Sequence, residues 1–300
     1  MIDHVSTDVN YVITEKVYMS RLLVNGLHLG VEVREPTGVS KGVLVMLHGF
    51  TGSAAGWGEH LTAFAEAGLR VIALDMLGHG ESDAPTDVQR YSIEHCCEDI
   101  KAALCMLDVR PAEAILLGYS MGGRIALYAA FSGFFRALIL ESASAGIEDP
   151  LERVQRRASD EALAARIERD GVEAFVDYWE RIPLFASQQT LPAEVRARLR
   201  AQRLCNRAEG LANSLRGVGT GVQPALYEKL PTLQLPVLLL VGALDSKFTA
   251  LARHMMQLLP QAQLQIVSDA GHTVHLEQSV LFQQHVIAFC MQYCFSRTRR

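Results

Sequence analysis

The segment Gly118-Tyr119-Ser120-Met121-Gly122 lies between an apolar run, Ala114 to Leu117, and a helix-like stretch, Gly123 to Phe131. A serine in this context is typical of a nucleophile elbow, a sharp strand-to-helix turn that lifts the hydroxyl out of the sheet. Glycines flank the serine because a side chain there would collide with the strained backbone or the neighbouring strand. The motif alone is weak evidence, since the same spacing also occurs in ordinary strand-to-helix loops.

Short apolar runs recur along the chain on both sides of this turn. They are separated by segments of helix length, which is typical of a parallel sheet covered by helices on both faces. An antiparallel hairpin around the turn Asn25-Gly26 is expected before them, because Asn-Gly supplies the positive φ angles of a tight turn. The predicted strands are 18–24 and 28–33 in the hairpin, then 43–47, 71–74, 114–117, 137–140, 237–241 and 264–267.

Between Gly146 and Leu235 no strand-like run occurs, and apolar residues recur at helical spacing. Four helices are expected in this segment, near 151–169, 172–181, 192–204 and 208–216. An insertion after a core strand would lie over the carboxyl ends of the strands as a lid. The prediction is therefore a core of residues 1–145 and 236–300 and a helical cap of residues 146–235.

The bulk composition excludes several classes of protein. A chain of 300 residues with 49% hydrophobic content can bury a large core. Its formal charge of -5 argues against a nucleic-acid partner. The polar start, Met1 to Glu15, is not expected to act as a signal peptide, and no later segment is expected to cross a bilayer, so a cytoplasmic protein is predicted. The six cysteines form no C-x-x-C pair and are predicted to be reduced core thiols.

Two residues further along complete a catalytic set with Ser120. Asp245 follows the apolar run that ends at Val241, and His272 follows the last predicted strand. The α/β-hydrolase fold, a mostly parallel sheet with helices on both faces, requires the chain order serine, acid, histidine. Taken singly, Asp245 could be a helix N-cap and His272 a loop residue. Together they predict the triad Ser120, Asp245 and His272.

Backbone amides are expected to form an oxyanion hole beside this triad. His48-Gly49-Phe50 directly follows a predicted strand, so the amide of Phe50 can pair with that of Met121, the residue after the serine. The glycine-rich segment 75–83 resembles a loop of α/β-hydrolases, and its His79 is interpreted as structural. No motif for a metal, a phosphate-bearing cofactor or a dinucleotide is found, so neither a metal nor a cofactor is expected.

Several segments resemble one family, the menaquinone-pathway lyase 2-succinyl-6-hydroxy-2,4-cyclohexadiene-1-carboxylate synthase. They are 118–124, 141–144, 152–157, 179–187, 219–224, 245–248 and 271–277. The resemblance implies an α/β-hydrolase fold with a helical cap. It also implies the cofactor-free elimination of pyruvate from 2-succinyl-5-enolpyruvyl-6-hydroxy-3-cyclohexene-1-carboxylate, a small-molecule polycarboxylate.

The same resemblance implies a set of substrate-binding residues, namely Tyr119, Arg124, Arg153, Trp179, Arg203 and Lys247. Arginine suits carboxylates because its planar group donates two parallel hydrogen bonds. Residues 146–235 hold 12 arginines, but they also hold 13 acidic residues, so most of these arginines are expected to pair on a solvated face. Trp179 is equally well interpreted as a core residue.

The expected mechanism has His272, oriented by Asp245, withdraw the proton of Ser120, so that the serine oxygen removes a proton next to the succinyl ketone. A serine hydrolase on the same scaffold, either a carboxylesterase or a carbon-carbon bond hydrolase, remains an alternative. A catalytically silent scaffold that senses a small ligand through its cap is a second one. The oligomeric state stays open.

Overall fold

The computed structural model describes residues 17–294, so the predictions about the polar N-terminal stretch before residue 17 and the end of the chain after residue 294 lie outside the described residues. Within this range the chain forms one eight-stranded sheet with helices on both faces. The strands are β1 (Val17–Val24), β2 (Leu27–Arg34), β3 (Gly42–Leu47), β4 (Leu69–Leu74), β5 (Ala114–Tyr119), β6 (Ala137–Glu141), β7 (Val237–Gly242) and β8 (Ala262–Val267). The helices are α1 (Glu59–Glu66), α2 (Ile93–Met106), α3 (Met121–Ala130), α4 (Pro150–Trp179), α5 (Ala193–Leu204), α6 (Ala208–Val218), α7 (Ser246–Leu258), α8 (Val274–Glu277) and α9 (Ser279–Cys294).

The sheet has the order β1-β2-β4-β3-β5-β6-β7-β8, and this topology confirms the predicted α/β-hydrolase fold. The hairpin β1–β2 and the pair β2–β4 are antiparallel, whereas all the pairs from β4 to β8 are parallel. Asn25 and Gly26 have φ angles of 48° and 83°, as the predicted tight turn requires. Every predicted strand is present, and the carboxyl ends of the parallel strands meet along one edge of the sheet.

The two faces of the sheet bury separate clusters of side chains. Successive residues of β3 alternate between them, with Val45 and Leu47 on one face and Leu44 and Met46 on the other, all fully buried. Alternation with both faces covered explains why the parallel strands read as continuous apolar runs in the sequence. The core thus forms a rigid base under the strand ends.

The segment between β6 and β7 contains α4, α5 and α6, as the sequence predicts. The residues of α4 form two helical segments separated by Gly171, where φ is 83° and ψ is 172°, outside the helical region, and this break falls between the first two predicted helices. Helices α4 and α6 bury a cluster of their own around Ile167, Phe175 and Leu211. Residues 226–233, at the end of the predicted cap, instead pack into the main core. The division into core and cap at the predicted boundaries stays a prediction.

The six cysteines all have free thiols. Four of them are buried, but Cys105 and Cys205 are exposed, so the prediction of core thiols is wrong for these two. Cys105 lies in the last turn of α2 and Cys205 directly follows α5, and at both places the helix turns the side chain away from the core.

Candidate active site

Three side chains from three different loops meet at the carboxyl edge of the sheet. Nε2 of His272 lies 3.0 Å from the Ser120 hydroxyl oxygen, and Nδ1 lies 2.7 Å from Oδ2 of Asp245. Both His272 and Asp245 are buried, whereas Ser120 is half-buried. Because Nδ1 donates to the carboxylate, Nε2 is free to accept the serine proton. The structure therefore brings the three predicted catalytic residues into one hydrogen-bonded relay.

Asp245 is also the N-cap of helix α7, the other role that the sequence allows for it. Its Oδ1 accepts a hydrogen bond from the backbone N–H of Phe248 at 3.2 Å, which caps the N-terminus of α7. Its Oδ2 meanwhile binds His272. One carboxylate thus serves both as the N-cap and as the partner of the imidazole, so the two interpretations do not exclude each other.

Ser120 occupies a strained turn between β5 and α3. Its φ is 50° and its ψ is -106°, outside the helical and extended regions. Its amide donates to the carbonyl of Glu141 on the next strand at 2.9 Å. A Cβ at Gly118 would lie 2.3 Å from the carbonyl oxygen of Gly122, and one at Gly122 would lie 2.3 Å from that of Leu47. These contacts give the physical reason for both glycines of the motif.

The loop that carries His272 is held by a carboxylate whose role the sequence did not reveal. Glu277 accepts hydrogen bonds from the amides of Gly271, at 2.7 Å, and Thr273, at 3.1 Å. These two residues flank His272 on either side. Glu277 therefore fixes the backbone on both sides of the His272 imidazole, a role visible in sequence only as a glutamate five residues after the histidine.

His275, which the sequence assigns no catalytic role, has a positional one. Its Nδ1 lies 2.8 and 2.9 Å from the two carboxylate oxygens of Glu141, and its own amide donates to the same carboxylate at 3.0 Å. Glu141 is fully buried, and its carbonyl also accepts the Ser120 amide. The pair thus links the serine turn to the helix that follows the histidine loop.

The predicted oxyanion amides lie at the start of α3 and in the loop after β3. The amide of Met121 is in the first turn of its helix, where N–H groups lack partners within the helix. Within residues 17–294 neither this amide nor that of Phe50 donates a hydrogen bond to a protein group. The loop is held by His48, whose Nδ1 donates to the Gly49 carbonyl at 2.8 Å and whose Nε2 accepts from the Met76 amide at 3.0 Å. Burial lowers the pKa of His48, in keeping with this neutral form.

His79 is fully buried beside His48, with 5.0 Å between the ring centroids. Its Nδ1 donates to the Leu77 carbonyl at 3.1 Å, and burial lowers its pKa to about 3. The neighbouring Asp75 carboxylate accepts from the amides of Ala54, at 2.5 Å, and Glu81, at 2.9 Å. These contacts support the interpretation of the 75–83 segment as structural.

Aromatic side chains of the cap and core cover the relay. The ring of Phe185 lies 6.0 Å from that of His272, and the ring of Phe248 lies 4.5 Å from it. Trp179 packs against Phe50 at 5.4 Å and against Phe185 at 5.6 Å. Its indole N–H is buried without a protein partner. Trp179 is thus both a packing residue and a side chain with an unused donor near the site.

The predicted substrate-binding residues do not all converge on the relay. Tyr119 contacts His272 through its ring at 5.6 Å, and Arg124 is buried one helical turn after Ser120. Arg153 is half-exposed, and Lys247 is exposed in the first turn of α7. The structure places two of these cations at the surface, so their binding roles stay a prediction.

Arg203 is buried, but its hydrogen bonds go to other groups of the cap. It donates to Glu180 at 3.4 Å and to the side-chain oxygen of Gln188 at 3.1 Å. The amide nitrogen of Gln188 donates to the Thr273 hydroxyl at 2.7 Å, and that hydroxyl lies 3.3 Å from the Tyr119 hydroxyl. The sequence could not reveal Gln188, because its contact with Thr273 spans 85 residues.

A cavity of about 940 Å³ lies apart from the relay. It is bounded by the β1–β2 hairpin, the loop that precedes α1 and helix α5, and it includes Ser53, Trp57 and Gln202. None of the three predicted catalytic residues lines it. The relay of Ser120, His272 and Asp245 therefore lies under the aromatic cover and not in this cavity.

Among residues 17–294, no group of three or more histidine, cysteine, aspartate or glutamate side chains is arranged to hold a metal ion. In the same range, every helix is too short or too polar to cross a membrane.

Comparisons with known proteins agree with this architecture. The sequence profile of a family described as the alpha/beta hydrolase fold matches residues 42–279. A protein of Bacillus subtilis (strain 168), provisionally named 2-succinyl-6-hydroxy-2,4-cyclohexadiene-1-carboxylate synthase, is 45% identical over 251 residues, which cover 82% of this chain and 89% of the relative. The synthase of that name from Citrobacter koseri is 32% identical and covers 78% of this chain and 88% of its own. The solved structure of MenH from S. aureus is 35% identical with a TM-score of 0.84, and the match covers 88% of this chain and 98% of that one.

Proposed function

The chain belongs to the 2-succinyl-6-hydroxy-2,4-cyclohexadiene-1-carboxylate synthase family of the α/β-hydrolase fold, and we propose that Ser120 acts in it as a general base. The reaction of this family eliminates pyruvate from 2-succinyl-5-enolpyruvyl-6-hydroxy-3-cyclohexene-1-carboxylate. It makes the protein a carbon-oxygen lyase on a scaffold that other enzymes use for hydrolysis.

The first step is a proton transfer along the relay. Nε2 of His272 takes the hydroxyl proton of Ser120, and the serine oxygen takes the proton from ring carbon 2, which the succinyl ketone activates. Asp245, 2.7 Å from Nδ1, stabilises the imidazolium that forms. The proton of carbon 2 thereby comes to the serine, and the serine proton to His272.

The electron pair left on carbon 2 then drives the elimination. It forms a double bond between carbons 2 and 3, the double bond between carbons 3 and 4 moves to carbons 4 and 5, and the bond from carbon 5 to the enolpyruvyl oxygen breaks. Enolpyruvate leaves with that electron pair and takes the proton held by the His272 imidazolium, which restores the neutral relay, and the enol then tautomerises to pyruvate. The ring is left as the 2,4-diene, and the net change is the loss of one pyruvate.

Negative charge builds up on the succinyl carbonyl oxygen during the first step. The amides of Phe50 and Met121, which have no protein acceptor within residues 17–294, are suited to donate to this oxygen. Such donors lower the barrier because they are already oriented before the charge appears.

The surroundings of the imidazole favour elimination over hydrolysis. His272 is 1% exposed and is packed against the rings of Phe185, Phe248 and Tyr119. Hydrolysis on this scaffold requires a water that the imidazole can activate, whereas the elimination requires none. An apolar cover over the imidazole is therefore compatible with the lyase reaction.

The single observation that carries the proposal is the relay from Ser120 through His272 to Asp245, with contacts of 3.0 and 2.7 Å, in a chain 45% identical to a relative with this synthase name. The test is a coupled assay of pyruvate release with wild type and Ser120→Ala. We expect kcat to fall by at least about a thousandfold in the variant, with the fold intact by circular dichroism.

Ser132→Ala is the matched control, because Ser132 follows the other end of α3 and binds only the backbone. Substrate deuterated at ring carbon 2 should also react more slowly, since that carbon-hydrogen bond breaks in the first step. Ester cleavage by the wild type without pyruvate release would instead establish a serine hydrolase. If Ser120→Ala keeps most of its pyruvate release, the serine is not the base.

A further inference from the structure

A chain of polar contacts runs from the cap to the residue before the reacting serine. Arg203 donates through Nη2 to Oε1 of Gln188 at 3.1 Å, and Nε2 of Gln188 donates to the Thr273 hydroxyl at 2.7 Å. That hydroxyl lies 3.3 Å from the hydroxyl of Tyr119. Gln188 and Thr273 are both buried. The chain of contacts thus crosses from the cap to the core and ends on the residue directly before Ser120.

The direction of the first two hydrogen bonds is fixed by the chemistry of the groups that make them. A guanidinium has only donors, so Gln188 must present its amide oxygen to Arg203. The NH₂ group of the same amide then lies on the other side and donates to Thr273. Because the Thr273 oxygen is an acceptor in this contact, its own hydroxyl proton needs a different partner.

One acceptor is in reach of the Thr273 hydroxyl proton. Within residues 17–294 the Thr273 hydroxyl makes hydrogen-bond contacts with Gln188 and Tyr119 only. Gln188 fills its contact with a donor, so the Thr273 proton is satisfied by the phenol oxygen of Tyr119. The opposite arrangement, in which Tyr119 donates to Thr273, would leave a buried hydroxyl proton without an acceptor, and buried donors in folded proteins are nearly always paired.

Tyr119 is left with a hydroxyl proton that no described protein group takes. Burial raises the pKa of its phenol, so the hydroxyl stays protonated. Among residues 17–294 this hydroxyl contacts Thr273 alone. Tyr119 directly precedes Ser120, its ring lies 5.6 Å from that of His272, and the residue is only half-buried. A free O–H donor therefore lies beside the relay.

We propose that Gln188 and Thr273 are positioning residues that set the direction of this hydrogen-bond chain, so that Tyr119 donates its hydroxyl proton to the substrate and not to Thr273. The inference rests on the proposed function for the identity of the substrate, whose carbonyl and carboxylate oxygens accept from such a donor. It adds two residues that act through Tyr119. Because the bonds of a chain polarise one another, the cation of Arg203 at one end strengthens the donor at the other.

The first test reverses the direction of the chain. In Gln188→Glu the carboxylate accepts both from Arg203 and from the Thr273 hydroxyl, so Tyr119 has to turn its own proton towards Thr273. The side chain keeps its size and its new charge meets Arg203, so circular dichroism should show an intact fold. We expect kcat/KM for pyruvate release to fall about tenfold, the effect of one lost hydrogen bond between neutral groups.

A double variant shows whether Gln188 acts through Tyr119. Tyr119→Phe removes the donor itself, so Gln188→Glu should have no further effect on kcat/KM in the Tyr119→Phe background. Gln189→Glu is the matched control, because this neighbouring glutamine is exposed and binds the Glu180 carbonyl at 3.4 Å. The same change of charge there should leave kcat/KM unaltered. If the two losses multiply in the double variant, Gln188 does not act through Tyr119 and the proposal is wrong.

Two substitutions at position 273 separate the direction of the chain from its contribution to stability. Thr273→Ser keeps the hydroxyl, so kcat/KM should stay within about twofold of wild type. Thr273→Val keeps the shape but leaves the Gln188 amide without its acceptor, so the thermal midpoint should fall. Its kcat/KM should fall less than in Gln188→Glu, because the Tyr119 proton stays free. A larger loss of activity in Thr273→Val than in Gln188→Glu would show that direction does not matter, which overturns the proposal.

Neutron diffraction from deuterium-exchanged crystals shows the hydroxyl deuterons directly and does not depend on the reaction. In wild type we expect the Thr273 deuteron on the line to the Tyr119 oxygen, and in Gln188→Glu the Tyr119 deuteron on the line to the Thr273 oxygen. A wild-type Tyr119 deuteron that points at Thr273 would overturn the proposal. The expected deuterons in a wild type that releases no pyruvate would support the chain and contradict the proposed function alone.

Discussion

The core side and the cap side of the site are held by different kinds of contact. On the core side, Ser120, His272 and Asp245 extend from loops at strand ends and are joined at 3.0 and 2.7 Å. On the cap side, Arg203 binds Glu180 and Gln188, which belong to the cap itself. Strand ends are aligned by the backbone hydrogen bonds of the sheet, whereas cap side chains are placed by their packing with one another. The core residues are therefore positioned before substrate arrives. In the cap, Arg203 stabilises the fold through its partners, and other cations stay available as predicted substrate-binding groups.

After loss of Ser120 itself, the largest effect should come from breaking the core relay at Asp245. Asp245→Asn keeps the cap of α7 but presents an amide to His272, so we expect kcat to fall by about ten-thousandfold with little loss of stability. Asp245→Ala should lose the same activity and, in addition, about 1 kcal/mol of unfolding free energy. Pyruvate release and urea unfolding measure the two effects.

Asp149→Ala is the control for the capping effect. Asp149 caps α4 through the amides of Leu151 and Glu152, at 2.7 and 2.9 Å. It should lose stability alone. An active Asp245→Asn enzyme would show that the carboxylate serves the helix and not the imidazole.

The second comparison sets one buried arginine against another. Arg124→Met removes the cation that has no carboxylate partner within residues 17–294, so KM should rise between about tenfold and a hundredfold, and the unfolding free energy should fall by about 1–2 kcal/mol because the Val218 carbonyl and Gln223 lose their donor. Arg203→Met leaves Glu180 and Gln188 without their donor, so the unfolding free energy should fall by about 2 kcal/mol. Steady-state kinetics and denaturation of both variants test this. A large rise in KM for Arg203→Met with unchanged stability would show that Arg203 leaves its cap partners to bind substrate.

A smaller effect is expected at Glu277, which holds the histidine loop. In Glu277→Gln one oxygen can still accept from the backbone, but the new NH₂ group faces an N–H of Gly271 or Thr273. We expect kcat to fall about tenfold with KM unchanged, because the substrate contacts remain. Gln278→Ala, whose side chain binds the Asp269 carbonyl near the surface, should leave kcat unaltered. A change confined to the thermal midpoint would argue that Glu277 does not position His272.

Acid should lower the unfolding free energy of the protein, because the core contains buried histidines that stay neutral in the folded state. Burial lowers the pKa of His60 to about 4 and that of His79 to about 3, from an ordinary value of 6.5. Between pH 6.5 and about 4 the unfolded chain binds these protons and the folded chain does not, so stability falls as the pH falls. Each histidine contributes a slope of at most about 1.4 kcal/mol per pH unit.

Urea unfolding at several pH values in this interval measures that slope. His60→Gln should reduce it by the contribution of one histidine, because His60 accepts from Gln283 and donates to the His275 carbonyl as a neutral ring. An unchanged slope in His60→Gln would mean that the ring is protonated in the folded protein.

The sequence was sufficient for the strands and the strand-end residues. Apolar runs of strand length marked all the strands, and Ser120, Asp245 and His272 follow three of them. It also indicated the break at Gly171 between the first two predicted helices of the cap. The sequence could not show that Arg124 and Arg203 have different partners, because the family resemblance implies both as substrate-binding arginines and their partners are set only in the folded chain. The positioning roles of Glu277 and Gln188 were also missed, because these roles depend on which groups the two side chains meet in the folded chain.

Sequence by itself determined the order of the strands along the chain, the three residues at their carboxyl ends and the family, because these depend on local periodicity and on short motifs. The tertiary structure alone decided which charges are paired. Arg203 meets Glu180 and Gln188, whereas Arg124 meets only the oxygens of Val218 and Gln223. The physical reason is that an ion pair depends on the distance between groups far apart in the chain, and that distance exists only once the cap has packed on the core.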